Sequence, residues 1–172
     1  MIDEYKTLLD YGEDETIIDK SRFISYARPV QTEQEAISFV EKIKTKHKDA
    51  THNVSAYVMG LNNEIQRYSD DGEPSGTAGI PVLEVIRKEN LRNVAIVVTR
   101  YFGGIKLGAG GLVRAYTLGA KLGVDAGKII IKRHYQIIKI IIDYNFLGKI
   151  QNDILQSGYI IKEIKYSDTV EV

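Results

Sequence analysis

The sequence lacks cysteine and tryptophan altogether. Without cysteine the chain can form neither disulfide bonds nor thiolate zinc sites, so scaffolds that depend on either are excluded. The most apolar run, Ile137-Ile-Lys-Ile-Ile-Ile142, is too short to span a bilayer. The polar, acidic N-terminus is also unlike a signal peptide. These absences predict a soluble, cytoplasmic protein without a membrane partner.

Charge of either sign is not in excess, since 23 Lys and Arg balance 23 Asp and Glu. A nucleic-acid footprint over the whole surface is therefore not expected. The charges are unevenly placed, however, because no acidic residue occurs between Glu89 and Asp125. The cations of that acid-free segment are Arg92, Arg100, Lys106, Arg114 and Lys121. An anionic partner is most readily accommodated there.

Apolar periodicity predicts an α/β (α+β) protein with two domains, residues 1–127 and 128–172. In the first, strands are predicted within 15–30, at 53–60, 64–68 and 94–101, and helices at 33–47, from Pro81 to about Glu89, and after the glycines of 103–111. A capping-box pattern, Thr32 with Glu35, marks the start of the first helix. Small residues on the inner face of the last helix predict close packing on the sheet.

The second predicted domain consists of a strand at 134–142, a helix around 146–155 ending near Gly158, and a hairpin of 159–166 with 169–172. This β-α-β-β order is most of a ferredoxin-like βαββαβ unit without its last helix and strand. Such a unit would leave an open sheet edge and exposed apolar surface. We therefore expect the C-terminal domain to be truncated.

Five glycines lie within nine positions directly after the predicted strand at 94–101. The spacing matches neither a Walker A loop nor the dinucleotide-binding fingerprint, since Ala109-Gly110 follows Gly108 and position 113 is valine. Two interpretations stay open: a tight strand-to-helix connection, or an anion site built from backbone N–H groups and cations. The candidate nucleic-acid or anion-binding residues are Arg100, Lys106, Gly108, Gly110, Gly111 and Arg114.

An acidic loop at 69–81 offers a second candidate site. Asp70, Asp71 and Glu73 carry the hard oxygen ligands that a divalent cation prefers. Their spacing does not fit an EF-hand, and local capping of a turn by the aspartates is the simpler interpretation. No cofactor is expected, with a divalent cation at this loop left open.

No catalytic residue can be assigned. His52 is the one plausible acid–base group, and a structural role suits it better; no nucleophile, base and orienting group can be assembled. Tyr101 and Phe102 beside Arg100 could either stack on bases or fill a core.

Three long motifs point to a family. They are Lys20-Ser-Arg-Phe-Ile24, Ser69-Asp-Asp-Gly-Glu-Pro-Ser-Gly-Thr-Ala-Gly79 and the segment from Val98 to Tyr116 that contains the glycines. In this order they closely resemble the IMPACT family, in its bacterial YigZ-like branch. The resemblance implies a first domain with the ribosomal protein S5 domain 2-like fold and a ferredoxin-like second domain similar to domain V of elongation factor G.

The resemblance also implies a function linked to translation. Eukaryotic relatives regulate translation by binding the activator of an initiation-factor kinase, a partner system that bacteria lack. Some relatives carry a peptidase label, but this sequence offers no set of metal ligands to support that activity. We expect a non-enzymatic regulator that binds RNA, the ribosome or a translation-associated protein. The alternatives are an enzyme that binds a small phosphorylated ligand or nucleotide with a metal at the acidic loop, and a protein-interaction module.

Overall fold

The computed structural model describes residues 4–172, which form two compact units that divide between His134 and Tyr135. The first unit contains β1 (Glu4–Leu8), β2 (Gly12–Ile18), β3 (Ser21–Pro29), α1 (Glu33–Lys46), β4 (His52–Met59), β5 (Ile65–Ser69), α2 (Gly79–Lys88), β6 (Val94–Tyr101), α3 (Gly108–Gly127) and β7 (Ile129–Arg133). None of the helices within residues 4–172 combines the length and apolar character needed to cross a membrane.

The centre of the first unit is a five-stranded antiparallel sheet with the order β2-β3-β6-β4-β5. Its register places Phe23, Arg100 and His52 side by side on three neighbouring strands. Side chains in one such row share a face of the sheet. Helices α2 and α3 cover this face, and α1 covers the opposite one, so each face has its own apolar core.

Helix α1 confirms the predicted amphipathic helix, with Ala36, Phe39, Val40 and Ile43 buried. The Thr32 side chain caps its N-terminus by accepting a hydrogen bond from the Glu35 backbone N–H at 3.2 Å. A capping box also predicts that the Glu35 carboxylate accepts a hydrogen bond from the Thr32 N–H. It accepts instead from the N–H of residue 31, at 2.8 Å. The cap therefore ties the helix to the residue before Thr32.

Helix α3 packs closely on the sheet because its inner face carries glycine. A Cβ atom on Gly119 would lie 3.0 Å from the Val98 side chain, and one on Gly123 would lie 2.4 Å from Ser25 Oγ. The larger Tyr116 meets the Phe23 ring edge to face, with 5.4 Å between centroids. The predicted close packing of this helix is confirmed, and it fixes α3 against β3 and β6.

Strand β7 extends the first unit beyond Gly127, where the sequence predicted a boundary. It pairs antiparallel with β1, which the sequence analysis did not predict. The apolar residues Ile129–Ile131 thereby find a partner strand next to α3. The pairing explains why the chain remains part of the first unit up to His134.

The second unit contains β8 (Ile141–Ile142), a short 3-10 helix (Tyr144–Phe146), α4 (Leu147–Gln156), β9 (Lys165–Tyr166) and β10 (Val170–Glu171). Its strand order, β8-β10-β9 with antiparallel pairs, is that of the first three strands of a ferredoxin-like unit. Gly158 follows α4 with φ 73°, as its predicted position at the C-terminus of the helix requires.

Two predictions for the second unit were wrong in extent. Only Ile141–Ile142 of the predicted strand at 134–142 is a strand, and Ile137 and Ile138 are exposed. The predicted hairpin is confined to two residues on each side. Apolar, β-branched composition favours a strand, but a strand also requires a neighbour that pairs along its whole length.

Candidate functional site

The three signature motifs meet in one buried polar cluster on the face of the sheet covered by α3. Ser21 comes from the first motif, Glu73 from the acidic loop, and Arg100 and Tyr116 from the third motif; His52 on β4 completes the group. Ser21, Glu73, Arg100 and Tyr116 therefore form one hydrogen-bonded network, and His52 lies at its edge with Nε2 3.7 Å from Glu73 Oε2. We call these five residues the Glu73 cluster.

Glu73 is the central member of the cluster. Its Oε1 atom accepts hydrogen bonds from Arg100 Nη1 and from the Tyr116 hydroxyl, both at 2.7 Å. Glu73 and Arg100 are 7% and 5% exposed, so water screens their attraction very little. Burial, followed by the hydrogen bond to Glu73, raises the pKa of Tyr116 well above its ordinary value, which keeps the phenol protonated as a donor.

The guanidinium group of Arg100 lies between two aromatic rings. Its Cζ atom is 5.5 Å from the Phe23 ring centroid and 5.4 Å from that of Phe102. Arg100 Nη2 also lies 3.4 Å from Ser21 Oγ, while Nε is buried without a hydrogen-bond partner. Although the sequence suggested Arg100 as an anion-binding residue, the structure places it inside the protein, committed to Glu73.

His52 joins the acidic loop to the cluster. Its Nδ1 atom is 2.8 Å from the backbone carbonyl oxygen of Asp71, which can only accept, so Nδ1 carries the proton of this bond. The other ring nitrogen, Nε2, lies 3.7 Å from Glu73 Oε2, beyond hydrogen-bond distance. This arrangement agrees with the structural role expected for His52.

The carboxylates of the acidic loop are directed to different protein partners. Asp70 accepts hydrogen bonds from the backbone N–H groups of Gly76, Ala78 and Gly79, and so holds the loop at the start of α2. Asp71 accepts from the N–H of residue 53 and lies 3.2 Å from Lys44 Nζ. Within residues 4–172, no group of three His, Cys, Asp or Glu side chains is arranged to hold a metal ion.

The cluster also fixes the start of the glycine-rich loop. The Gly103 N–H donates to Ser21 Oγ at 3.2 Å, and the Phe102 N–H donates to Thr51 Oγ1 at 3.0 Å. A Cβ atom on Gly103 would lie 2.0 Å from the backbone carbonyl of Lys20. Glycine is required here because the loop passes directly over the turn between β2 and β3.

The remainder of the glycine-rich loop and the first turn of α3 form an exposed surface. Lys106 and Arg114 are exposed, and neither makes an ion pair with any residue that the structure describes. No side chain caps α3 and its first turn contains no acid. Arg114 Nη1 lies 3.6 Å from the position of a Cβ on Gly110, beside the free N–H groups of that turn.

Several apolar side chains border these cations. Phe102, Ile105 and Val113 are exposed, whereas the hydroxyl of Tyr101 turns to the opposite face of the sheet and contacts His47. We call the surface formed by Phe102, Ile105, Lys106, Gly108, Gly110, Gly111, Val113 and Arg114 the glycine-loop surface. It combines donors for an anion with an accessible aromatic ring.

The structure thus separates the residues that the sequence had grouped together. Lys106, Arg114 and Gly108, Gly110 and Gly111 lie on the glycine-loop surface, while Arg100 and Glu73 lie beneath it in the cluster. Sequence reasoning missed Ser21 and Tyr116 as members of the site. Their presence in the same motifs as the candidate residues was the available signal.

This fold, with an α/β first unit and a ferredoxin-like second unit joined in one chain, is accompanied by clear matches to known proteins. A family model described as the Impact N-terminal domain matches residues 19–124, and one described as a domain of unknown function (DUF1949) matches residues 140–172. The chain belongs to the IMPACT family, as its three motifs predicted.

Individual relatives extend the match to most of the chain. IMPACT family member YvyE from Bacillus subtilis (strain 168) is 51% identical over 171 residues, covering 99% of this chain and 79% of its own length. IMPACT family member YigZ from Escherichia coli (strain K12) is 45% identical over 101 residues, covering 58% of this chain and 50% of YigZ. A crystal structure described as that of a hypothetical protein is 31% identical, with a TM-score of 0.73, and covers 99% of this chain and 84% of that one.

Proposed function

We propose that this protein is a non-enzymatic regulator linked to translation, which binds RNA, free or in the ribosome, through the glycine-loop surface. The observation that carries the proposal is the pair of uncompensated cations, Lys106 and Arg114, beside the uncapped first turn of α3. Backbone N–H groups at a helix N-terminus favour phosphate, and the nearby cations add long-range attraction. Membership of the IMPACT family supports the link to translation.

The surface suits single-stranded RNA better than a small anion. Phe102 is 46% exposed, and its ring is held by Arg100 from below, so one face of the ring can take a base. In the first turn of α3, Gly108, Gly110 and Gly111 leave the methyl group of Ala109 as the one side chain near a phosphate. Phosphate contact by Lys106 and Arg114 beside base stacking on Phe102 is the combination typical of single-strand binding.

The role of the Glu73 cluster in this proposal is to position the surface. Arg100 is held by Glu73, Ser21 holds Gly103, and both connections lie immediately before the exposed loop. The charges of Glu73 and Arg100 are buried and paired with each other, so we assign the cluster a positioning role rather than a catalytic one.

A titration of labelled single-stranded RNA at several salt concentrations tests the proposal. The variant Lys106→Ala/Arg114→Ala should bind more weakly, and the slope of log affinity against log salt should fall by about 0.7 for each phosphate interaction that the substitutions remove. The matched control is Lys48→Ala/Lys88→Ala, which removes two exposed cations that lie outside the surface. Equal binding and equal slopes in all three proteins would refute the proposal.

We infer a second candidate function, docking of a protein partner, from the second unit. Helix α4 has no buried residue, and Leu155, Tyr159 and Ile160 are about three-quarters exposed. Exposed apolar patches of this kind mark interaction surfaces. Retention of a ribosomal or translation-associated protein by the chain, and its loss in Leu155→Gln/Ile160→Gln but not in Lys106→Ala/Arg114→Ala, would favour this alternative over RNA binding.

A further inference from the structure

A groove runs along α1 on the opposite face of the sheet from the Glu73 cluster. It encloses about 560 Å³ and is lined by Asp10, Tyr11, Arg28, Pro29, Phe39, Lys42, Ile43 and Lys46. A neighbouring depression of about 260 Å³ shares Arg28, Phe39 and Lys42, so the two form one continuous surface. We call it the α1 groove.

The groove follows from the position of α1 on the sheet. Helix α1 packs mainly against β4 and β6, and β2 lies at the edge of the sheet beyond β3. The same face of β2 is therefore left uncovered beside the helix, whereas on β3 Ile24 and Tyr26 are buried in the α1 core and only the end with Arg28 is open. Arg28 from β3 and Lys42 and Lys46 from α1 border this gap.

The larger part of the α1 groove is predominantly positive, because three cations line it and Asp10 is the one acid among its lining residues. The smaller part adds Glu35, whose carboxylate accepts a hydrogen bond from the N–H of residue 31. Lys46 is partly compensated, since its Nζ lies 3.5 Å from Glu13 Oε1 and donates to the Tyr26 hydroxyl at 3.2 Å. Arg28 and Lys42 make no ion pair with any of residues 4–172. The Arg28 Nε atom donates to the carbonyl oxygen of Pro29 at 3.3 Å, which leaves the terminal nitrogens of Arg28 and the Lys42 ammonium group for an anion.

The groove also presents an aromatic ring in a fixed position. The Tyr11 hydroxyl donates to Glu13 Oε2 at 2.5 Å, and the ring packs on Tyr26 with 6.3 Å between centroids. Tyr11 nevertheless remains 44% exposed, which leaves ring surface open to a ligand. On the other side, the Arg28 guanidinium lies 5.8 Å from the Phe39 ring centroid, which restrains it at the groove.

We propose that the α1 groove binds a phosphate-bearing ligand of mononucleotide size, with Arg28 and Lys42 on the phosphate and Tyr11 against the base. The volume lies within the range of small-molecule sites. Arg28 supplies the planar donors that recognise a phosphate, and Lys42 adds a mobile positive charge. Because the groove contains no residue of the glycine-loop surface, this proposal does not depend on RNA binding there.

Calorimetry on the intact chain with AMP, inorganic phosphate and adenosine tests the groove. AMP should bind more tightly than either phosphate or adenosine, since only AMP carries both recognised groups. Arg28→Gln/Lys42→Gln should weaken AMP binding by at least about tenfold, the loss typical of removing charged hydrogen-bond donors. Tyr11→Leu should reduce the affinity for AMP towards that for phosphate. The matched control Lys48→Gln/Lys88→Gln should bind AMP like the unaltered protein.

Any of the following would overturn the proposal: no AMP binding to the unaltered protein, equal weakening in the control variant, or equal affinities for AMP and inorganic phosphate. Lys42→Gln alone is the second variant should the double variant fail to fold, because Lys42 is exposed and makes no ion pair among residues 4–172. Loss of AMP binding in Lys106→Ala/Arg114→Ala with retention in Arg28→Gln/Lys42→Gln would also reject the α1 groove and place the nucleotide at the glycine-loop surface.

Discussion

Glu73 and Arg100 form a buried ion pair, with Glu73 Oε1 2.7 Å from Arg100 Nη1. The pair connects the acidic loop to the end of the strand that precedes the glycine-rich loop. Two segments that are separated in sequence, each with an apparent ligand-binding composition, thus satisfy each other inside the protein. The cations of these two segments that remain available to a partner are Lys106 and Arg114, which lie at the surface.

Removing one partner of the ion pair should strongly destabilise the protein. Glu73→Gln leaves the Arg100 charge buried and uncompensated, which we expect to lower the free energy of unfolding by about 3–5 kcal/mol. Arg100→Met should have a cost of the same order, because it leaves Glu73 unpaired. Urea unfolding followed by circular dichroism measures both.

The double variant Glu73→Gln/Arg100→Met measures the interaction between the two side chains apart from the contacts that each makes with other residues. Since no isolated charge is left, its cost should be clearly smaller than the sum of the two single costs. Costs that add within about 0.5 kcal/mol would contradict a direct interaction. Glu84→Gln is a suitable control, because Glu84 pairs with Arg87 on the surface and should contribute little.

The glycines of the third motif should differ in their tolerance of alanine. Gly103→Ala would place a Cβ 2.0 Å from the backbone of Lys20, so we expect destabilisation by about 1–3 kcal/mol or more. Gly110→Ala meets only the Arg114 side chain, at 3.6 Å, and should be neutral or stabilising by up to about 1 kcal/mol. Thermal unfolding compares the two variants directly.

RNA binding should respond to the substitution at Gly110 even though stability does not fall. Gly110→Ala adds a methyl group at the proposed phosphate position and should weaken binding while the fold is retained. Unchanged RNA binding by Gly110→Ala would contradict a phosphate at this turn, and strong destabilisation would assign this glycine to folding.

Much of the first unit could be predicted from the sequence, because its elements carry strong local signals. Thr32 with Glu35 marks the start of α1, and the apolar run at 94–101 coincides with β6. Strand β1 was missed since its pairing with β7 is made between the two ends of the unit, which no local pattern reveals. The prediction of a strand at 134–142 was wrong in extent, because an apolar composition does not by itself provide a strand to pair with.

The site was harder to predict than the fold. Acidic and basic residues in separate glycine-rich segments suggested two exposed ligand sites, whereas the sheet register brings His52 and Arg100 into one row beneath the loops. Whether a charged side chain faces solvent or a buried partner depends on tertiary contacts. The motifs contain four of the five residues of the Glu73 cluster, but their sequences did not indicate that Glu73 and Arg100 would neutralise each other.

The stability of the first unit should fall as the pH decreases below about 6.5, the ordinary pKa of histidine. His47 Nδ1 donates to the Tyr101 hydroxyl at 2.8 Å, because that hydroxyl donates onward to Asp49, and Nε2 accepts from Tyr26 at 2.5 Å. Burial, with a smaller effect from Lys46, lowers the pKa of His47. The neutral ring is therefore favoured in the folded state.

The sign of the effect follows from proton linkage. In the unfolded chain His47 binds a proton near pH 6.5, whereas in the folded protein its pKa is lower. The contribution of the neutral ring to the free energy of unfolding is therefore fully present above about pH 6.5 and is lost as the pH falls towards the folded pKa. Urea midpoints at a series of pH values should show this decline, and His47→Gln should show a smaller one. An identical pH dependence in the variant would exclude His47 as the cause.

A residue-by-residue map of where RNA binds is the sharpest test of the proposed function. Amide chemical shifts of the isotopically labelled chain would be followed during titration with a short single-stranded RNA. We predict that the largest changes occur at Lys106, Gly108, Gly110 and Gly111, and that they diminish at higher salt. The absence of shifts at these amides, or changes confined to the α1 groove or the second unit, would contradict RNA binding at the glycine-loop surface.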